Sequence, residues 1–147
     1  MTAIADIPIP VRLDDGATSG LASIVQQFLE QQLADSMRRR VRAARLRGRL
    51  GLTATDYDAS VTVDFRGVEI AISDGRAGPL DATIAGPYKS LTKLLQGRSN
   101  PLIEHLRGRL KVTSRIGNLF FPLRVHRLMK LAPEGNHQEG RNARRIL

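Results

Sequence analysis

"SVTVDFRGVEIAIS", residues 60–73, decides how the rest of the chain reads. Val61, Val63 and Phe65 alternate with Ser60, Thr62 and Asp64. After Arg66-Gly67 the alternation resumes, with Val68, Ile70 and Ile72 set against Glu69, Ala71 and Ser73. A period of two puts each set on one side of a pleated strand. Two such runs joined by a glycine-bearing turn predict a β-hairpin with one buried face. The pattern spreads outward from there. "GRLGLT", from residue 48, can supply an extra strand before the hairpin. Asp74-Gly75 is a second turn, Leu80, Ala82 and Ile84 alternate again, and "RLKVTSR", 109–115, reads as a last strand.

The flanking segments carry the helical period. From Leu21 the apolar positions are 21, 24, 25, 28, 29, 33, 37, 41 and 44, in steps of three and four. That is one stripe of one long helix, capped by Ser19 and ended near Gly48. Pro87 suits the first position of a second helix, with Leu91, Leu94 and Leu95 as its stripe and Gly97 at its end. Asn100-Pro101 opens a short helix with Leu102, Ile103 and Leu106, closed by Gly108. Asn118 can cap a last helix over 118–131, with Pro122 in a first turn that tolerates it. Residues 1–18 hold Pro8, Pro10, Asp14, Asp15 and Gly16 without a helical period and read as an arm, and 132–147 as a polar tail. Between them, 19–131 forms a single domain. Strands cluster before helices, so the class is α+β rather than doubly wound α/β.

A chain of 147 residues can bury a core without staples, and it contains no cysteine. The N-terminus has no basic-then-apolar leader, and the longest uncharged run, Gly16 to Leu29, is too short and polar to span a bilayer. The expectation is a soluble, cytoplasmic protein. The net charge of +9 is distributed unevenly. Seven arginines lie between Arg38 and Arg49, ten basic residues and one acid lie in 82–131, and residues 50–81 between these blocks are acidic.

Catalytic signatures are weak. "GATSG" has Thr at its centre and precedes a helix, unlike a nucleophile elbow. "GPYKS" lacks the glycine that a phosphate-binding loop needs before its lysine. His105, His126 and His137 are too far apart for a helical metal pair. The expectation is a protein without catalytic residues, metal or cofactor.

The stretch from Leu50 to Leu131 resembles the sterol carrier protein 2 (SCP2) sterol-binding domain family. The hairpin is followed by "LDATIAGPYKSLTKLLQGRSNPLIEHLRGRLKV". Asp81 leads a strand into a helix that ends in Leu-x-x-Gly at Gly97, a short helix follows, and Gly108 precedes the strand "RLKV". The family reads in the same order. It departs from this chain in commonly having Gly-Lys-Leu where Gly108-Arg109-Leu110 stands, and Gly-Asp where this chain has "TSRIGN". The resemblance implies a curved, mainly antiparallel sheet of about five strands, covered by helices, with an apolar tunnel. Such tunnels hold sterols, fatty-acyl chains, phospholipids or isoprenoid quinones, and some bacterial members look like accessory factors for quinone enzymes.

Lipid binding requires mostly hydrophobic side chains around a pocket. The tunnel candidates are Phe65, Ile70, Ile72, Leu91, Leu94, Leu95, Ile103, Leu106, Val112, Phe120, Phe121, Leu123 and Leu128. The last helix has more apolar residues than one stripe needs, so its excess faces a lipid, a membrane or a partner, or else packs on the sheet. Arg38, Arg39, Arg42 and Arg45 are candidates for anionic headgroups or a membrane, each worth about 1 kcal/mol near such a surface. They also serve equally as a solvated face at a helix C-terminus. The alternative function is an accessory protein docking on an enzyme of lipid or quinone metabolism through 118–131. Nucleic acid is disfavoured: the chain has no Trp, four Phe and two Tyr, and no recognition signature to stack or read bases.

Overall fold

The structure, a computed structural model, describes residues 9–129 except 15, 18 and 35, and does not describe the side chains of Leu102 and Asn118. The tail 132–147, most of the arm 1–18 and the expected Asn118 cap therefore lie outside what is described. Among the described residues six strands form one sheet: β1 (Val11–Leu13), β2 (Arg47–Ala54), β3 (Ala59–Arg66), β4 (Ile70–Asp74), β5 (Ala82–Gly86) and β6 (Lys111–Ser114), in the order β1-β4-β3-β2-β5-β6. The hairpin forms as expected, with Val63 opposite Ile72 and Phe65 opposite Ile70. Gly67 turns it at φ 83°, a left-handed value that favours glycine. Val68, expected on the buried face, falls in this turn and is exposed. The sheet has one strand more than expected and two parallel joints, β2 with β5 and β1 with β4. β1 arises within the presumed arm, closed onto β4 by the Ile70 amide donating to the Pro10 carbonyl and the Asp14 amide to the Ile72 carbonyl.

One face of the sheet is apolar. Leu50, Leu52, Val61, Val63, Phe65, Ile70, Ile72 and Ile84 are buried under helices α1 (Gly20–Ala34), α3 (Tyr88–Leu95) and α5 (Phe121–Met129). The other face carries hydroxyls, with Thr53 bonded to Ser60 at 2.9 Å and Thr62 donating to the Gly75 carbonyl at 2.7 Å. This is the alternation of a sheet covered on one side. Each fully buried Leu, Ile or Phe contributes about 1.5–3 kcal/mol.

The single long helix expected from Ser19 onward is two. Ser19 caps α1, its hydroxyl accepting from the Ala22 amide at 3.0 Å. Leu21, Val25, Leu29 and Leu33 bury its stripe. A second helix, α2 (Met37–Arg45), starts at Ser36, whose hydroxyl accepts from the Arg39 amide at 3.2 Å. The break resets the helical phase, so Met37 is exposed while Arg39 and Ala43 are buried. Gly48 does not end a helix but sits in β2, at φ 149°. A methyl there would lie 2.8 Å from the Phe121 ring, so glycine lets α5 land on the start of β2. Asp81 ties the strands at that end. Its carboxylate accepts from the Arg49 amide at 2.8 Å, and its carbonyl accepts from the Arg115 amide at 2.8 Å.

Pro87 is the N-cap of α3 rather than its first residue, and the short helix α4 (Pro101–Leu106) follows. His105 of α4 accepts the Val112 amide at Nδ1, 3.1 Å away, which fastens α4 to β6. The last helix begins at Phe121, after a 3-10 turn at Ile116–Asn118, later than the expected 118.

Candidate functional site

The space between the sheet and its helices is a small apolar void of about 10 Å³, the room for roughly one water. Three strands, β2, β3 and β5, supply Leu50, Leu52, Val63, Phe65 and Ile84 from below. Val25 and Leu29 come from α1, Leu94 and Leu95 from α3, and Pro101 from α4. Pro122, Val125, His126 and Met129 of α5 close it from above. Among these described lining residues, His126 is the one polar side chain. Phe121 pins the start of α5 to the sheet, edge-on to Phe65 with ring centroids 6.2 Å apart. Such a geometry adds about 0.5–1.5 kcal/mol beyond burial.

Of the tunnel candidates, the structure brings Phe65, Leu94 and Leu95 to the void. Ile70, Ile72, Leu91, Phe121 and Leu128 are buried in the surrounding core, and Val112 and Leu123 are half-buried. Three candidates lie elsewhere. Ile103, Leu106 and Phe120 are exposed at 46%, 78% and 66%. Ile103 and Leu106 fall on the outer side of the six-residue α4, and Phe120 precedes the helix it was assigned to. Ile116 and Leu119 are exposed beside Phe120 in sequence. The candidates missed include Leu50, Leu52, Val63 and Ile84. Strand alternation puts Val63 with Phe65, and the pairing of Leu50 with Val63 would have added the others.

The arginine block separates into distinct roles. Arg39 is turned inward and buried, donating to the Gln32 side chain and, at 3.5 Å, to the Gln32 carbonyl. Arg40 donates to the carbonyls of Leu33 and Ala34 at 2.8 and 3.2 Å. Both therefore satisfy acceptors that the end of α1 leaves open. A headgroup role for Arg39 is displaced by this inward bond. Arg47 donates to the Arg66 carbonyl at 2.6 Å, and Arg49 lies 3.4 Å from Asp64. Arg38 is exposed. Arg42 and Arg45 line a groove between α2 and α5 together with Arg124 and Arg127.

A separate charge network joins β1 to the hairpin. Arg12 pairs with Asp14 and, at 2.8 Å, with Glu69, and Arg66 pairs with Glu69 and Asp64 at 3.0 Å each. The Ser73 hydroxyl, followed by Arg12, holds the Asp14 carboxyl below its ordinary range. Hydrogen bonds from Arg12 and then Arg66 do the same for Glu69. Among the described residues no helix is long and apolar enough to cross a membrane.

Known proteins share this architecture. A UbiJ-SCP2 ubiquinone synthesis protein is 22% identical, with a TM-score of 0.60 over 74% of this chain and 92% of its own. Domain 2 of the sterol carrier protein of Helicoverpa armigera is 13% identical, with a TM-score of 0.55 over 78% and 91%. Palmitated SCP2L2 of Aedes aegypti is 10% identical, with a TM-score of 0.51 over 76% and 95%. At these identities the likeness concerns the fold. Curated proteins yield no match. A profile of the SCP-2 sterol transfer family matches residues 25–130, which takes in the void and both helices of the groove. With the one-sided sheet and its apolar void, that match settles descent: the chain belongs to the SCP-2 sterol transfer family.

Proposed function

We propose that this chain is a non-catalytic carrier that holds an apolar chain between its sheet and α5. The observation that carries this reading is the lining of the void, which is apolar apart from His126. A wall of that kind selects by shape and area, and its one polar group suits a hydroxyl or carbonyl on the cargo. A sterol, fatty-acyl, phospholipid or isoprenoid-quinone chain fits this chemistry. The family's sterol transfer and the palmitated relative support a lipid cargo, and the ubiquinone synthesis relative supports a quinone precursor.

Ligand sites usually measure about 300–1,000 Å³, far above the 10 Å³ between sheet and helices. Loading therefore requires a helix to move outward. α5 is the candidate lid, because it closes the void along four residues, with Phe121 packed edge-on to Phe65 at its start. Arg38, Arg42 and Arg45 then form a basic rim for an anionic headgroup or membrane. Organic extraction and mass spectrometry of the purified protein, with displacement of a fluorescent fatty acid, test the reading. The expected result is a co-purified lipid and saturable displacement; absence of both ends the proposal.

A second reading has its own observation. Ile116, Leu119 and Phe120 are exposed within five residues ahead of α5, where an accessory protein would offer an apolar contact to an enzyme of lipid or quinone metabolism. A cross-linked partner lost on Phe120→Asp, with fatty-acid displacement intact, would favour it.

A further inference from the structure

We infer that the groove between α2 and α5 binds a phosphate group, as a phosphomonoester or a pyrophosphate. The groove has a volume of about 320 Å³, and its lining consists of Arg42, Arg45, Arg124 and Arg127 with Leu46 and Leu128. Arg42 and Arg45 are three residues apart on α2, and Arg124 and Arg127 three apart on α5, so each pair shares a helix face. Tertiary structure brings the two pairs together, and Arg42 donates across the groove to the Arg127 carbonyl at 3.2 Å. The convergence is a product of the fold, not of one basic run.

Like charges brought together repel. On other parts of the surface Arg12, Arg49, Arg66, Arg109 and Arg115 each lie within 4.0 Å of a carboxylate. Among the described residues no carboxylate lines this groove. Helix dipoles account for part of the arrangement, since Arg42, Arg45 and Arg127 occupy last turns. Arg124 does not, yet it lines the same groove. Guanidinium groups present planar donor forks that match phosphate oxygens in pairs. Leu46 and Leu128, both buried, keep water from one side and so strengthen that attraction. The volume is at the lower end for ligand sites, which suits a compact anion.

The inference gives the carrier reading a specific headgroup contact, and rests on that reading only for a lipid source of the phosphate. Calorimetry with sodium pyrophosphate tests the groove without lipid. Flotation with vesicles of phosphatidylcholine, alone or mixed with phosphatidic acid, tests the lipid source. Arg124→Gln with Arg127→Gln is compared with a charge-matched pair outside the groove, Lys89→Gln with Lys93→Gln, after circular dichroism shows that both fold. The expected result is single-site pyrophosphate binding that weakens by about tenfold for each groove arginine removed and by less than about threefold in the control pair. Restoring charge with Arg124→Lys and Arg127→Lys should recover part of it. Flotation with phosphatidic acid that fails in the groove variant assigns the phosphate to a lipid; pyrophosphate binding without flotation assigns it to a soluble anion. Equal weakening in the two pairs would overturn the inference, as would no binding of either probe. Tighter binding of single-stranded RNA than of pyrophosphate, lost in the same variant, would also overturn it. Pyrophosphate binding in a protein that displaces no fatty acid leaves the groove standing and removes the carrier.

Discussion

The two sides of α5 do opposite things with nine residues. Pro122, Val125, His126 and Met129 close an apolar void, while Arg124, Arg127 and Leu128 border a groove against α2. Helical geometry alone separates them, because residues three and four apart share a face. On the proposed function, the inner side would select through area removed from water, which has no direction. The outer side, on the inference drawn for the groove, would select through charge, whose reach falls from about 10 Å at 0.1 M salt to about 3 Å at 1 M. One helix can therefore couple a cargo chain to an anionic group without mixing the two recognitions, provided that it stays anchored.

The anchor is where the comparison breaks most readily. Phe121→Ala removes a buried ring that meets Phe65, and should cost about 3–5 kcal/mol, read as a fall in the urea unfolding midpoint. Both sides of α5 should weaken together; a variant that lost one binding and kept the other would show that Phe121 does not hold the helix as a unit. Val125→Phe separates the sides. Overfilling the void should cost about 1–3 kcal/mol of stability and reduce fatty-acid affinity by about tenfold or more, equivalent to about 1.4 kcal/mol. Pyrophosphate binding should stay unchanged. Added salt should give the reverse pattern, weakening pyrophosphate far more than the fatty acid, of which only the carboxylate meets the basic rim.

Gly48→Ala sharpens the same point from the sheet side. The added methyl would meet the Phe121 ring at 2.8 Å, at a φ of 149° that side chains rarely adopt. A loss near the lower end of about 1–3 kcal/mol is expected, measured by thermal or urea unfolding. Phe121→Leu in the same chain should recover part of it, since the clash is with that ring. Additive losses would mean that the strain is in the backbone.

The hairpin was legible because its signal is local: alternation and a glycine turn fall within fourteen residues. The helix break was not. Positions 33, 37, 41 and 44 continue the numerical stripe straight across Ser36, and counting cannot reveal that a serine hydroxyl has captured the Arg39 amide. β1 was hidden for a different reason. Three residues carry almost no periodic signal, and Val11 pairs with Ile70, far along the chain. The arginine block misled as a unit, because its members have separate partners. Arg39 and Arg40 close the end of α1, whereas Arg42 and Arg45 meet two arginines some eighty residues away. Apolar side chains of a core can be guessed from pattern, but a groove between two helices exists only once they dock.

The smallest effect is expected away from α5, at the edge strand. Asp14 and Glu69 are held below their ordinary carboxylate range, so each is more readily ionised folded than unfolded. Such groups contribute stability above their unfolded values, about 4, and lose it as pH falls through the lower folded values. Both pairs lie at the surface, where ion pairs contribute little, so the global unfolding midpoint should hardly move. The local consequence is sharper. β1 is three residues long, and besides its ladder with β4 it is held by the Ile70–Pro10 and Asp14–Ile72 backbone bonds, by the Gln26 side chain donating to the Val11 carbonyl at 3.0 Å, and by this charge network. Below about pH 4 the Ile70 and Asp14 amides, which donate across that joint, should lose hydrogen-exchange protection before the β2–β3 amides do. Glu69→Gln should produce part of that loss at neutral pH. Equal protection at the two joints under acid would mean that packing of Val11, not charge, holds the strand. Pyrophosphate and fatty-acid binding at neutral pH should be indifferent to Glu69→Gln, because neither side of α5 touches this edge.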